Sequence, residues 1–435
     1  MSDIPSDLLK EILRRVTGEP LLRFRTVCKE WRRIIDDPSF VRIHAHTQIS
    51  SNTLLIRNST TNTLLYSLNL DTLNHNESKQ TIEVTAVKPF SRSGATDVPN
   101  LPAPSCHGLI LNSHYYEIDK AWVVWNPLTR EFHELPLFKT KPNAESSLAC
   151  LGIGYDCSSD DFKVVRIDRM RTTDSTTTVH QTSIYSLKMN CWRMVKDCPY
   201  DFPGHRRPGV FLNGALHWVL ENKIVVLVLG TEDYRELPMP TKPGESVLPS
   251  LKALGGFLFM SYYDCNGNPM EVGQLVEGWV MNDYGVEKSW TKLFSFTEDF
   301  LLDVDVLTPI AYIKSKGLVI LQNFDDFLLF DIQSNSAKMV TVSGLPSNFY
   351  CQIMPQSLFR LGRSFAVDVK SKAAMKRERK RKRMGKPTIK PQARVEHSVI
   401  IEKVRLFFDL NALAWSDDDY DDDDVDIDDD EDDYY

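Results

Sequence analysis

Val123-Val124-Trp125-Asn126-Pro127-Leu128-Thr129-Arg130-Glu131-Phe132-His133-Glu134-Leu135-Pro136 reads as strand, turn, strand. β-Branched and aromatic residues flank an Asn-Pro pair, and proline's fixed φ suits a turn better than a continuing strand. The outline recurs along the chain. Ile184-Tyr185-Ser186-Leu187 is followed by Cys191-Trp192-Arg193, Val225–Leu229 by Tyr234–Leu237, Gly278–Met281 by Ser289–Phe294, and Phe327–Phe330 by Ala337–Val340. The leading strands start near residues 123, 184, 225, 278 and 327, at intervals of 61, 41, 53 and 49 residues.

A small sheet repeated about every 50 residues suits a propeller, whose blades stack around an axis because none can bury both of its faces alone. The expected fold is therefore mostly β: a β-propeller-like (kelch-like) domain over residues 50–360, with a β-sandwich as the alternative. No Gly-Gly pair opens each unit; Gly255-Gly256 is a lone instance. Trp125, Trp192, Trp218 and Trp290 sit beside apolar residues and are expected to fill the spaces between sheets.

Before this β region the period changes. Leu8, Leu9, Ile12, Leu13 and Val16 recur at helical spacing, with Pro5, Ser6 and Asp7 as start signals. Thr17-Gly18-Glu19-Pro20 interrupts the pattern. A second stretch carries Leu21, Leu22, Val27, Cys28, Trp31, Ile34 and Ile35, and Asp37-Pro38 is expected to close it. Some forty residues of short helices bury too little area to stand alone, so they require a partner or the neighbouring domain.

Net charge is uneven. Residues 1–369 carry -4, residues 370–395 carry +11 and residues 396–435 carry -15, which sum to -8. The expected organisation is helices over 1–44, the β domain over 50–360, a basic linker over 370–395, a short ordered segment or linker over 396–415 and a disordered acidic tail over 416–435. No apolar run reaches the roughly 18 residues of a membrane span, and the N-terminus has charges where a secretory signal needs an apolar stretch. The eight cysteines include no Cys-x-x-Cys pair, and their scatter fits reduced thiols. No Gly-x-Ser-x-Gly elbow, phosphate loop or His-Glu-x-x-His pair occurs. His44 and His46 lie two apart, as a strand would place them on one face, but two ligands do not define a metal site. The sequence thus suggests no catalytic residues, no metal and no cofactor.

Two ordered sets of residues resemble known families. Ile4-Pro5-Ser6-Asp7-Leu8-Leu9 with Ile12-Leu13, then Leu21-Leu22-Arg23-Phe24-Arg25-Thr26-Val27-Cys28-Lys29-Glu30-Trp31-Arg32, is similar to an F-box. Ser105–Ile110, Trp125–Arg130, Leu151–Asp156, Asp161–Val165, Gly209–Trp218 and Trp279–Trp290 resemble, in order, the F-box-associated (kelch-like interaction) domain of plant F-box proteins. The resemblance implies a non-catalytic substrate receptor of a Skp-cullin-F-box ubiquitin ligase, in the nucleus and cytoplasm, whose protein target is unknown. Carried over by matched position, the adaptor-docking residues are Pro5, Leu8, Leu9, Ile12, Leu13, Leu22, Val27, Cys28 and Trp31. The alternative for these helices is a cap on the following domain. The alternative function is a nuclear scaffold or a nucleic-acid- or histone-binding protein acting through the charged C-terminus.

Lys376, Arg377, Arg379, Lys380, Arg381, Lys382 and Arg383 form a run dense enough for nuclear import or nucleic-acid contact. Residues 417–433 hold 14 acids among 17. An apolar stretch over 397–408 separates the two and is expected to anchor on the body. Opposite charges on one chain attract, and salt screens them over about 10 Å at 0.1 M. Deleting residues 416–435 should therefore strengthen DNA binding at low salt, measured by titration, and replacing Lys380–Arg383 with Ala should lower the nuclear fraction in cells. No gain in binding excludes screening, and an unchanged nuclear fraction excludes import.

Overall fold

The computed structural model describes residues 5–361, apart from 48–52, 59–64, 74–78, 81–83, 88–89, 93–94, 98–101, 113–121, 139–143, 173–177, 203–206, 221, 245–246, 265–273, 297–306, 324 and 347. The basic run at 376–383, the apolar stretch 397–408 and the acidic tail lie outside the described residues.

Four short helices come first: α1 (Ser6–Arg14), α2 (Gly18–Phe24), α3 (Lys29–Ile35) and α4 (Pro38–Thr47). The sequence reading needs two corrections here. Gly18-Glu19-Pro20 forms the first turn of α2, where a proline's missing N–H costs nothing because no acceptor lies ahead of it. Asp37-Pro38 opens a helix as well as closing one. Asp37 Oδ1 accepts from the backbone N of Ser39 at 2.8 Å and of Phe40 at 3.2 Å, a capping arrangement with proline at the first helical position. Those bonds, with that from the Ser39 hydroxyl first, hold the Asp37 carboxyl below its usual range. His44 and His46 accordingly sit on α4, not on a strand.

The remaining described residues form six mainly antiparallel sheets of four or five strands, a six-bladed propeller, with a separate two-stranded ribbon of Phe90–Arg92 and Ala95–Asp97. Blade II (strands Ser105–Cys106, Leu109–Asn112, Val123–Asn126 and Glu131–Glu134) shows the plan, each strand hydrogen-bonded to the next from the inside outward. Blades III to VI repeat it, with inner strands Ala144–Asp156, Val210–Leu212, Val247–Leu254 and Leu307–Ile313 lying one against the next around the ring. The five hairpins picked out in the sequence are the third and fourth strands of blades II to VI. The third strands begin at Val123, Thr178, Lys223, Gln274 and Asp326.

Blade I is built from both ends of the domain. Thr53–Asn58, Leu65–Asn69 and Thr85–Val87 supply three strands, and the chain returns with Phe349–Ile353 to become the innermost one, antiparallel to Thr53–Asn58. A second latch runs the other way. Lys79–Gln80 leaves blade I and pairs parallel with Ser336–Val342 on the outside of blade VI.

Strand alternation explains the packing. In blade III, Val164 faces blade II, while Val165 and Ile167 face blade IV. Each of six apolar clusters joins two neighbouring blades, including blades VI and I. Trp125, Trp218 and Trp290 are buried in these interfaces, as expected. Replacing Trp218 with Ala should cost about 3–5 kcal/mol, read as a lower denaturation midpoint, since the indole fills the blade III–IV interface. A midpoint within error of wild type would contradict this packing role.

Candidate functional site

α1 presents two apolar stripes, each spaced i, i+4 and about 100° apart around the axis. Leu9 and Leu13 (1% exposed) turn inward onto Leu21, Ile34, Ile35, Phe40 and Val41. Leu8 (58% exposed) and Ile12 (53%) turn to solvent, as does Val27 (60%) in the turn between α2 and α3. Pro5 and Cys28 are also exposed, and Leu22 and Trp31 are half-buried.

The expected docking set is thus divided. Leu9 and Leu13 are interior residues of the helical domain. Pro5, Leu8, Ile12, Val27 and Cys28 form the accessible part. Cys28 also caps α3, its Sγ accepting from the Trp31 backbone N at 3.5 Å, and the Trp31 ring meets Phe24 edge to face at 5.4 Å. Ile43, exposed on α4, was not singled out by the sequence. The α4 helix is held by buried His44, whose Nε2 lies 2.8 Å from the Val16 carbonyl. Burial lowers the His44 pKa, so the ring stays neutral and Nε2 donates.

These helices also rest on the propeller, so they are a cap on the neighbouring domain too. A hypothetical Cβ on Gly18 would meet Leu128 Cδ2 at 2.5 Å, so the helix and the blade II turn are in close contact and a larger residue here would require the Leu128 side chain to move. The Glu19 backbone N donates to Gln356 Oε1 at 3.1 Å, and Arg42 pairs with Asp160 at 2.5 Å. Leu358 joins the helical core.

Residues 354–361 therefore act as a strap between helices and blades. Asn126 holds it, donating from Nδ2 to the carbonyls of Ser357 (3.0 Å) and Phe359 (2.7 Å). The same side chain's Oδ1 accepts from the backbone N of Leu128 at 3.0 Å and of Thr129 at 3.3 Å, shaping the turn that carries Leu128 to the helices. Gly108 takes φ +77° beneath the strap, where a Cβ would lie 2.2 Å from the Pro355 carbonyl oxygen. Two sequence motifs, Cys106-His107-Gly108 and Asn126-Pro127-Leu128, thus mark the seat of the strap. Sequence reading took Asn126-Pro127 only as a turn and Cys106-His107-Gly108 only as part of the family resemblance, because their partners lie more than 200 residues away.

Leu128 lies between the third and fourth strands of blade II, and Asp160 between the first and second of blade III. In an antiparallel blade those turns share one face. The connections from second to third strand, and from blade to blade, lie on the other. Among the described residues, the helices therefore contact this face and not the opposite, distal one. Among the described residues no group of three or more His, Cys, Asp or Glu side chains is placed to hold a metal.

An exposed apolar helical stripe is thus strapped to one face of a β-propeller. The F-box domain model matches residues 1–43, and the F-box associated β-propeller domain model matches residues 54–358. The chain belongs to this family of F-box proteins with an associated β-propeller. It is 28% identical over 393 residues to F-box protein CPR1 of Arabidopsis thaliana, covering 82% of this chain and 89% of that protein. An F-box/kelch-repeat protein of the same plant is 27% identical over 337 residues, covering 74% of this chain and 85% of its own. Among solved structures, TolB from Acinetobacter baumannii matches at a TM-score of 0.39 and 9% identity, covering 72% of this chain and 71% of that one.

Replacing Asn126 with Ala leaves two strap carbonyls and a turn unsupported, which should cost about 2 kcal/mol or more. Trypsin cleavage after Arg360 should then quicken in a time course on the native protein. An unchanged rate would show that the strap is held by other contacts.

Proposed function

We propose that the protein is the non-catalytic substrate-recognition subunit of a Skp-cullin-F-box ubiquitin-protein ligase, working in the nucleus and cytoplasm. The observation that carries this reading is the outward stripe of Leu8, Ile12 and Val27 on a domain matched by the F-box model. Surface leucine and isoleucine in register on one short helix lower the free energy only when another apolar surface covers them. A Skp-type adaptor is the partner that family membership suggests for that surface.

On this reading the chain contributes proximity. It holds a target at a fixed distance from the conjugating machinery and raises the local concentration of a target lysine there. No side chain of the propeller acts as acid, base or nucleophile. The strap at residues 354–361 suits such a role, because a slack joint would dilute the effective concentration. Residues 376–383 would carry the chain into the nucleus.

The test is recovery of a Skp adaptor by the full chain. Leu8→Asp/Ile12→Asp should lose the adaptor while keeping its thermal midpoint, because both side chains are solvent-facing. Leu13→Ala should lower the midpoint, costing about 2–5 kcal/mol, because its side chain is core. Equal adaptor recovery by wild type and Leu8→Asp/Ile12→Asp would refute the reading.

A further inference from the structure

Nine large apolar side chains are exposed among the described residues. Four of them, Leu8, Ile12, Val27 and Ile43, belong to the short helical domain, and the other five are spread over the much larger propeller. The helices are also positively charged. Residues 5–47 contain nine Lys and Arg against six Asp and Glu, a net +3. Arg15 follows Leu8 by seven residues and Ile12 by three, so it stands at the end of the same stripe. Its side chain is 77% exposed, and it shares the single Glu11 carboxylate with Arg14. One negative charge thus serves two guanidinium groups beside an apolar surface.

The chain leaves the propeller close to this surface. Leu358 packs with Leu9 and Leu13, whose neighbours on α1 are Leu8 and Ile12. Leu361 comes three residues later, at most about 11 Å of chain, and its backbone N donates to Glu131 Oε2 at 2.8 Å. Beyond it the sequence continues for 74 residues, 362–435. These contain the apolar stretch His397–Phe408, followed by the 14 acids of residues 417–433. An apolar stretch followed by acids is the chemical complement of an apolar stripe ended by a cation. The 35 residues between 361 and 397 are ample tether, since a chain of that length reaches about 30 Å even as a random coil.

We propose that residues 397–433 fold back onto the Leu8–Ile12–Val27 stripe of their own chain, the apolar stretch covering the stripe and the acids facing Arg15. As control of adaptor docking this rests on the receptor reading, because segment and adaptor then compete for one surface. The cover itself does not depend on that reading. Charge selects the occupant. The basic linker, at +11, is repelled by the +3 of the helices, whereas the -15 of residues 396–435 is attracted. That -15 also exceeds the +11, so acids remain for the helices after the linker is neutralised. Tethering raises the local concentration of the segment to the order of mM, so a weak contact suffices. A cover closed about four-fifths of the time lowers the adaptor's apparent affinity about fivefold, yet a tight adaptor still displaces it.

Cys28, an exposed thiol next to Val27, is a built-in probe of the cover. The test follows its alkylation by iodoacetamide on the full chain, by peptide mass spectrometry, with exposed Cys191 on the outer strand of blade III as reference. Ile400→Asp/Val404→Asp should speed Cys28 alkylation about fivefold, the inverse of the open fraction, and leave Cys191 unchanged. Leu8→Asp/Ile12→Asp should speed it equally, from the other side of the contact. Equal Cys28 rates in wild type and both variants would overturn the proposal. So would a wild-type rate that falls with chain concentration, which assigns the cover to a second copy. A lower thermal midpoint for Ile400→Asp/Val404→Asp with an unchanged Cys28 rate would place the segment on the propeller and overturn it too. Titration with a Skp adaptor separates the two readings. Ile400→Asp/Val404→Asp should bind it about fivefold more tightly than wild type. Equal adaptor affinity would overturn the proposal and leave the receptor reading intact. No adaptor bound by either form, with the Cys28 rates as expected, would refute the receptor reading and leave the cover standing.

Discussion

Every blade of this protein depends on the closure of the ring. A four-stranded sheet has two apolar faces here, and each is covered only by a neighbouring blade. An open arc would leave the outward faces of its first and last blades in water. The chain avoids that by making blade I from both ends of the domain, with Phe349–Ile353 seated against Thr53–Asn58. Lys79–Gln80 adds a reciprocal latch on blade VI. The blade VI–I interface contains Leu54, Ile320, Phe327 and Phe349 and is as fully packed as the others. Folding of the first blade must therefore wait for the last strand, which gives this interface the longest contacts in sequence and ties stability of the whole to both ends.

The same return of the chain serves the helices. After Ile353 the backbone continues into residues 354–361, which run beneath blade II and into the helical core through Leu358. Closing the ring and fixing the helices are thus consecutive tasks of one segment. The helical domain buries Leu9 and Leu13 internally, and against the propeller it adds Leu128, Leu358 and the Gly18 contact. It needs no further partner to be folded. Its remaining apolar stripe is available for binding, which separates the residues that stabilise the domain from those that can recognise another protein.

Among the described residues, exposed large apolar side chains gather on the helices at Leu8, Ile12, Val27 and Ile43, while Leu137, Val179, Met189, Met194 and Val286 are spread over the propeller. For a protein whose proposed task is to hold two others at a set distance, the strap that fixes the helices to one face of the propeller is the relevant geometric property.

The sequence alone determined the repeated sheet and the helical start. Alternating apolar residues around Asn-Pro, Asn-Gly and Gly turns are local signals, and they revealed the outer hairpins of blades II to VI. Blade I escaped the count because residues 70–84 separate its third and fourth strands and its inner strand comes from the far end of the domain. No local pattern can report a pairing between residues 300 apart. Helical periodicity likewise found Leu8, Leu9, Ile12 and Leu13 but gave them one face. Only packing against α3, α4 and the strap decided that Leu9 and Leu13 lie inside while Leu8 and Ile12 lie outside, because burial is a property of what surrounds a helix and not of its spacing.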